Sequence, residues 1–245
     1  MTTHQFVTTF SVPGYHSYGM RFIDSFLEHG DGRRLTIYHE SQINKDEHEL
    51  LEWRNLDADA DRARFIADWG NDPSKVGTPA DPNSQAIRFC HKVFAITDAI
   101  ERADTDWVIW VDADVVFTKR IAHHHLERVM PQGALLAFLG RIDYGYTECG
   151  FVAYKASSQV VKNLAADMRS YYTSGEIFTR HKSDWHDSRC FDICRKRSQI
   201  PNQLQHNISA GVRGIHVWPL TPLNDWCVHH KGPRRKQEAY GSVVR

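Results

Sequence analysis

The sequence predicts one α/β domain, a mostly parallel central sheet flanked by helices. Three observations predict it. Short β-type runs alternate with amphipathic helical segments along the chain. One run, Trp107-Val108-Ile109-Trp110-Val111, is apolar at every position, as a strand buried on both faces must be. The chain has 245 residues, 41% of them hydrophobic, enough to bury a core without disulfide staples and of a length that favours one domain over 1–245.

The first strand is the run Gln5 to Phe10, closed by Ser11-Val12-Pro13-Gly14. A helix follows from Ser17 to His29, with Met20, Phe22, Ile23, Phe26 and Leu27 at helical spacing and Gly30 and Gly32 as stops. Leu35 to His39 is the second strand, and strand–helix–strand order implies parallel pairing. Residues 44–82 are polar. Glu47 to Trp69 holds one or two surface helices, and Pro73, Gly77, Pro79 and Pro82 mark a loop. Asn83 to Arg102 is a helix whose apolar face carries Ile87, Val93, Phe94, Ile96 and Ile100. After the buried strand at 107–111, further strands fall at Leu135 to Leu139, Phe151 to Tyr154 and Ile215 to Pro219. Helices fall at Ser157 to Tyr172 and Asp184 to Arg197, the second capped by Ser183 or Asp184 with Asp187 in its first turn. Residues 233–245 read as a basic tail.

Composition excludes some classes. The formal net charge is +0, so no global field draws nucleic acid to the chain. The five cysteines (Cys90, Cys149, Cys190, Cys194, Cys227) form no CxxC pair and lack the companion ligands of a zinc site, which leaves reduced thiols. No charged start followed by an apolar run occurs at the N-terminus, and no stretch nears the roughly twenty apolar residues of a membrane span. A soluble, cytoplasmic protein is the expectation. There is no GxSxG elbow, no Walker loop and no GxGxxG. His123-His124-His125 point in three directions on a helix and read as surface.

The chemistry-bearing motif is Asp112-Ala113-Asp114, directly after the buried strand. A bare Asp-x-Asp is more often a pair of loop or capping aspartates. Here it stands at the carboxyl end of a central strand, the edge of an open α/β sheet where ligands bind. Two carboxylates one residue apart at such a point can turn towards one divalent ion, and hard oxygen ligands suit Mg²⁺ or Mn²⁺.

The segment Trp107 to Phe117 resembles the DxD region of GT-A fold glycosyltransferases. Asp225-Trp226-Cys227-Val228-His229-His230-Lys231-Gly232 resembles the late His-x-x-Gly element of that family. The resemblance implies a Rossmann-like GT-A fold and a nucleotide-diphosphate sugar donor, UDP-linked by preference. It also implies transfer of a hexosyl or pentosyl group with Mn²⁺ or Mg²⁺ held by Asp112, Asp114 and His229. His230 is the ligand if the register is off by one. Lys231 and Gly232 would then lie against the diphosphate. Thr9 and Tyr15, after the first strand, fall where the family holds base and ribose. Arg88 and Lys92, one helical turn apart, are donor-binding candidates, or else a solvated basic face. Glu148 and Gly150 fall in a segment that lines the sugar and acceptor pocket, with a plain strand start as the alternative. Asp187 is the candidate catalytic carboxylate, either a general base on the acceptor hydroxyl or a group that orients the sugar. Trp185 offers a stacking platform, or core packing.

The acceptor is open. A glycan of the cell envelope and a modified base in phage DNA both fit, the latter through Lys231, Arg234, Arg235, Lys236 and Arg245 in the tail. A metal-dependent nucleotidyltransferase or phosphohydrolase could use the same aspartates. Val12-Pro13-Gly14-Tyr15 carries no Lys or Arg, which counts against the nucleotidyltransferase. The family's larger members carry membrane anchors and extra domains, and this sequence points instead to a small bacterial or phage-type enzyme. A non-catalytic sugar-nucleotide binder is the third reading. Oligomeric state has no signature in the sequence.

Overall fold

The computed structural model describes residues 2–40, 43, 45, 47–77, 81, 84–180 and 182–231. Its strands are β1 (His4–Phe10), β2 (Arg34–His39), β3 (Leu51–Asn55), β4 (Trp107–Val111), β5 (Val115–Phe117), β6 (Leu136–Leu139), β7 (Glu148–Tyr154), β8 (Gln205–Asn207) and β9 (Cys227–His229). Among the described residues, seven form one sheet in the order β3-β2-β1-β4-β7-β6-β8, and β5 with β9 forms a separate ribbon. Only β7 runs against the others in the main sheet, antiparallel to both β4 and β6. The fold class expected from the alternating pattern is therefore the one observed.

The principal helices are α1 (Met20–His29), α2 (Ala60–Trp69), α3 (Ala86–Glu101), α4 (His123–Val129), α5 (Gln159–Thr173), α6 (Glu176–Arg180) and α7 (Asp187–Arg197). They cover both faces of the sheet. Successive strand residues point to opposite faces, so β4 feeds two cores at once. Val108 and Trp110 join the core under α3, α5 and α7, while Trp107, Ile109 and Val111 join the core with Phe22 and Phe26 of α1. All five β4 residues are buried, as the unbroken apolar run requires.

Several local expectations are corrected. Part of 47–69 is not helical: Leu51–Asn55 is an edge strand parallel to β2, followed by a 3₁₀ turn at Leu56–Ala58 and the α-helix Ala60–Trp69. Its polar residues Glu52, Arg54 and Asn55 hide the alternation that marks an inner strand, because only an edge strand can leave that side to water. Residues 215–219 form no strand. Pro219 closes a 3₁₀ turn over Trp218–Leu220, while Trp218 fills the core. The first helical segment starts earlier than Ser17, at Val12, and passes through a π-type turn at Tyr15–Gly19. The cap of α7 is His186, whose ring nitrogen accepts from the Arg189 backbone, in place of Ser183 or Asp184. The five cysteines are buried free thiols. No helix among the described residues is long and apolar enough to cross a membrane.

Topology gathers the site. The carboxyl ends of β1, β4, β6 and β8 and the amino end of β7 share one edge of the sheet. The β5–β9 ribbon then crosses this edge with Val115 opposite His229. That register places His229 beside Asp114, and the His230 N–H donates to the Asp114 carbonyl at 3.0 Å.

Candidate active site

Asp112 leaves β4 in a tight turn. Its N–H still pairs with the Gly150 carbonyl at 2.9 Å, and its own carbonyl accepts from Val115 at 3.1 Å. Its side chain is held from behind: the Trp110 indole N–H and the Lys92 ammonium both donate to Oδ1 at 2.8 Å. Across the ribbon, His229 Nε2 lies 3.0 Å from Asp114 Oδ1. One ligand atom each from Asp112, Asp114 and His229 falls within 4.8 Å of the others. Neighbouring ligands of a six-coordinate Mg²⁺ or Mn²⁺ sit about 3 Å apart and opposite ones about 4 Å. Small side-chain rotations close that difference, so the donor set fits a divalent ion. Of the two neighbouring histidines, it is His229 whose ring nitrogen falls with the two aspartates.

Lys92 ties this cluster to Asp187. Its ammonium contacts Asp187 Oδ2 at 2.8 Å and donates to the Cys149 carbonyl at 2.6 Å, while also holding Asp112. The lysine rises from α3 and the aspartate opens α7, so two helices on one face meet over the end of β4. Burial disfavours the charged forms of both. Asp112 and Asp187 nevertheless hold the Lys92 pKa above its ordinary value, and Lys92 with His186 holds Asp187 below its own.

Glu148 begins β7 and is 1% exposed. A register shift between Phe138 and Leu139 brings Leu139 opposite it, a bulge that re-aims the strand end. Its Oε1 lies 2.6 Å from His216 Nδ1 and 3.3 Å from Lys231 Nζ, and its Oε2 accepts from the Val217 backbone at 3.0 Å. His229 Nδ1 stands 3.5 Å from Oε1, an ion-pair separation and not a formed hydrogen bond. Burial would raise the Glu148 pKa, yet His216, His229 and Lys231 hold it well below the usual carboxylate range. For His229, burial would lower the pKa, but Asp114, Glu148 and Asp112 raise it to about 9. The imidazole is thus gripped by carboxylates on both sides.

The remaining candidates divide. Glu148 was expected in a sugar pocket and instead sits closed behind His229. Gly150 was expected to admit a sugar; the space its side chain would fill is taken by the His229 ring, whose Cε1 is 2.8 Å from an ideal Cβ. Trp185 is buried, edge-on to Phe178 with ring centres 5.3 Å apart, and Lys75 lies over its ring. This burial accords with the core-packing alternative. Tyr15 is likewise buried between Phe10 and Trp53, with ring centres 5.6 and 6.3 Å away. Thr9 is half-buried at the end of β1 and donates to the Tyr38 carbonyl at 2.8 Å. Arg88 is exposed and bonds Gln85 at 3.0 Å, while Lys92 one turn on is half-buried and paired with Asp112 and Asp187, so the two do not form one basic face. Gly232 and the tail 233–245 lie outside the described residues.

Sequence reasoning missed His216, which braces Glu148 from a loop read as a strand. A histidine in a stretch without periodicity carries no signal of its own; a partner distant in the chain is needed to see it.

Comparison with protein families finds no match, and comparison with curated proteins finds none. Solved structures do match. The galactosyltransferase LgtC, determined with donor and acceptor sugar analogues, aligns over 98% of this chain and 96% of its own, at 12% identity and a TM-score of 0.54. A glycosyltransferase involved in glycosylation of the major capsid of PBCV-1 aligns over 98% and 100%, at 12% identity and TM-score 0.51. Mouse xyloside xylosyltransferase 1 aligns over 85% and 86%, at 8% identity and TM-score 0.50. With its mostly parallel seven-stranded central sheet flanked by helices, the chain has the GT-A fold of these glycosyltransferases.

Proposed function

We propose that this chain is a metal-dependent glycosyltransferase that moves a sugar from a nucleotide-diphosphate sugar to an acceptor hydroxyl. The observation that carries this reading is the convergence of Asp112, Asp114 and His229 at the ligand-binding edge of the sheet. The three fold neighbours named above, all glycosyltransferases by name, support the same reaction class.

Asp112, Asp114 and His229 would hold the ion. An imidazole among the ligands favours Mn²⁺ over Mg²⁺. A bound ion supplies Lewis-acid stabilisation of charge on a departing diphosphate. Lys231, beside Glu148 at the mouth, adds a cation for the same diphosphate. Lys92 keeps the Asp112 carboxylate fixed in place. Of the two roles open to Asp187, a group that orients the sugar fits its surroundings better than a general base, and it can add electrostatic stabilisation there. A carboxylate ion-paired at 2.8 Å with its pKa depressed is a weak base at neutral pH, but it suits a sugar that gains positive character in the transition state. The donor is UDP-linked in this reading, the group a hexose or pentose, and the acceptor a glycan. A cytoplasmic setting accords with five unbridged thiols.

Incubation with UDP-glucose, UDP-galactose and UDP-xylose plus Mn²⁺ tests the proposal by its product. Release of UDP that needs Mn²⁺ and disappears in Asp114→Ala supports it. Release of pyrophosphate from a nucleoside triphosphate would favour the nucleotidyltransferase, and metal-dependent binding without turnover would favour a sugar-nucleotide binder.

A further inference from the structure

A pinned aromatic row lies at the same sheet edge, in the segment that joins β6 to β7. The Arg141 guanidinium stands 4.7 Å from the Tyr144 ring centre and 4.8 Å from that of Tyr146. Its N–H groups donate to the carbonyls of Tyr146 at 2.9 Å, Thr147 at 3.2 Å and Ile215 at 3.0 Å. Thr147 is tied in turn to Asp192 of α7, through its N–H at 2.7 Å and its hydroxyl at 2.8 Å. The segment is therefore fixed from both ends before any ligand arrives, which lowers the cost of binding.

The rings point towards the catalytic candidate. Tyr144 and Tyr146 have centres 5.8 Å apart, and Tyr146 and His186 have centres 4.5 Å apart. His186 caps α7 and precedes Asp187. At the outer end, Tyr144 is 39% exposed, with Ile142 at 54% and Ile215 at 61%. Most large apolar side chains of this protein are buried, so apolar exposure collected beside the site marks a binding surface.

The chemistry of the row selects the ligand. A pyranose has an apolar C–H face and a rim of hydroxyls, and tyrosines offer a flat apolar face with a polar tip. A nucleic-acid backbone needs available cations. Here Arg141 is spent on carbonyls, and Arg213 pairs with Asp143 at 3.0 Å. We propose that Tyr144 and Tyr146, held by Arg141, form the acceptor subsite, a stacking platform for a neutral saccharide ring whose reacting hydroxyl faces Asp187. This rests on the sugar-transfer reading and deepens it by locating the acceptor subsite and the ring surface it takes.

Saturation-transfer NMR on the full chain, with UDP and Mn²⁺ present, tests the platform. The probes are the methyl glycosides of β-glucose, β-galactose and α-mannose, with a short thymidine oligonucleotide as the contrasting ligand. The expected result is saturation of the ring C–H protons of at least one glycoside, lost in Tyr144→Ala and kept in Tyr144→Phe. Near-ultraviolet circular dichroism checks that the alanine variant is folded, and a Tyr146→Ala variant provides an independent second case. Undiminished saturation in both alanine variants, no glycoside contact at all, or contact with the oligonucleotide alone overturns the proposal. Calorimetry of UDP with Mn²⁺ separates the two failures. If UDP does not bind, the nucleotide-sugar reading fails; if UDP binds and no glycoside does, only the platform fails.

Discussion

Two acidic clusters meet at His229, and their partners differ. Asp112 and Asp114 are two residues apart, stand at the mouth of the site and keep 31% and 13% of their side chains exposed. Glu148 comes from a different strand and is closed in, with both of its oxygens on protein donors: His216 and Lys231 on one, the Val217 backbone on the other. The aspartates stand at the more exposed end of the cluster, whereas the glutamate lies among donors from three residues. Residue type does not separate a ligand-receiving carboxylate from a bracing one; the count of donors already aimed at it does.

The largest expected effect breaks the first cluster. Asp114→Ala removes the partner of His229 and one of the three proposed ligands, and transfer should fall by roughly 10²-fold or more, the scale of a lost metal-centred stabilisation. Steady-state assay with Mn²⁺ checks this, and circular dichroism checks that the fold is kept. Next, Glu148→Gln keeps the shape and removes the brace. Mn²⁺ affinity should fall by about 10- to 100-fold, as for other partners that orient a metal-binding histidine. An unchanged affinity would mean that the two clusters act independently. Gly150→Ala is smaller again: its Cβ would stand 2.8 Å from the His229 ring, so the ring must shift. A stability loss of about 1–3 kcal/mol in urea melts is expected, with weaker Mn²⁺ binding and an unaltered sheet. An equally stable variant with full Mn²⁺ affinity would contradict the packing described.

The smallest effect is one of pH. The His229 pKa is raised from 6.5 to about 9, so its protonated form stabilises the metal-free fold. That contribution is fully present below about 6.5 and is lost as pH rises through about 9. A divalent ion competes with the same proton, so Mn²⁺ affinity should climb across this window. Calorimetry at successive pH values reads both; an affinity flat from neutral to alkaline pH would remove His229 from the ligand set.

Legibility in the sequence follows the same division. β4 and the DxD turn are readable because a five-residue apolar run and two acids one residue apart are local signals. The late histidine was readable through its resemblance to a known element. Gly150 was noticed for the right property, a missing side chain, but its neighbour proved to be a histidine from the far end of the chain. Glu148 and His216 meet only because β7 reverses and the loop after β8 folds back, and no spacing in the sequence encodes that meeting. Trp185 and Tyr15 looked like platforms because aromatics serve both cores and ligands; burial alone decides between the two. Polar β3 was lost for the opposite reason, since an edge strand lacks an inner strand's pattern.

The central claim is that Asp112, Asp114 and His229 hold a cation that in turn holds the diphosphate. Electron paramagnetic resonance of Mn²⁺, titrated with protein in the presence and absence of UDP, tests it most directly. The account predicts that UDP and the protein together quench the free-ion signal far more than either does alone, and that Asp114→Ala abolishes this cooperation. UDP binding that is equally tight without a divalent cation, or cooperation unchanged in the variant, would contradict it.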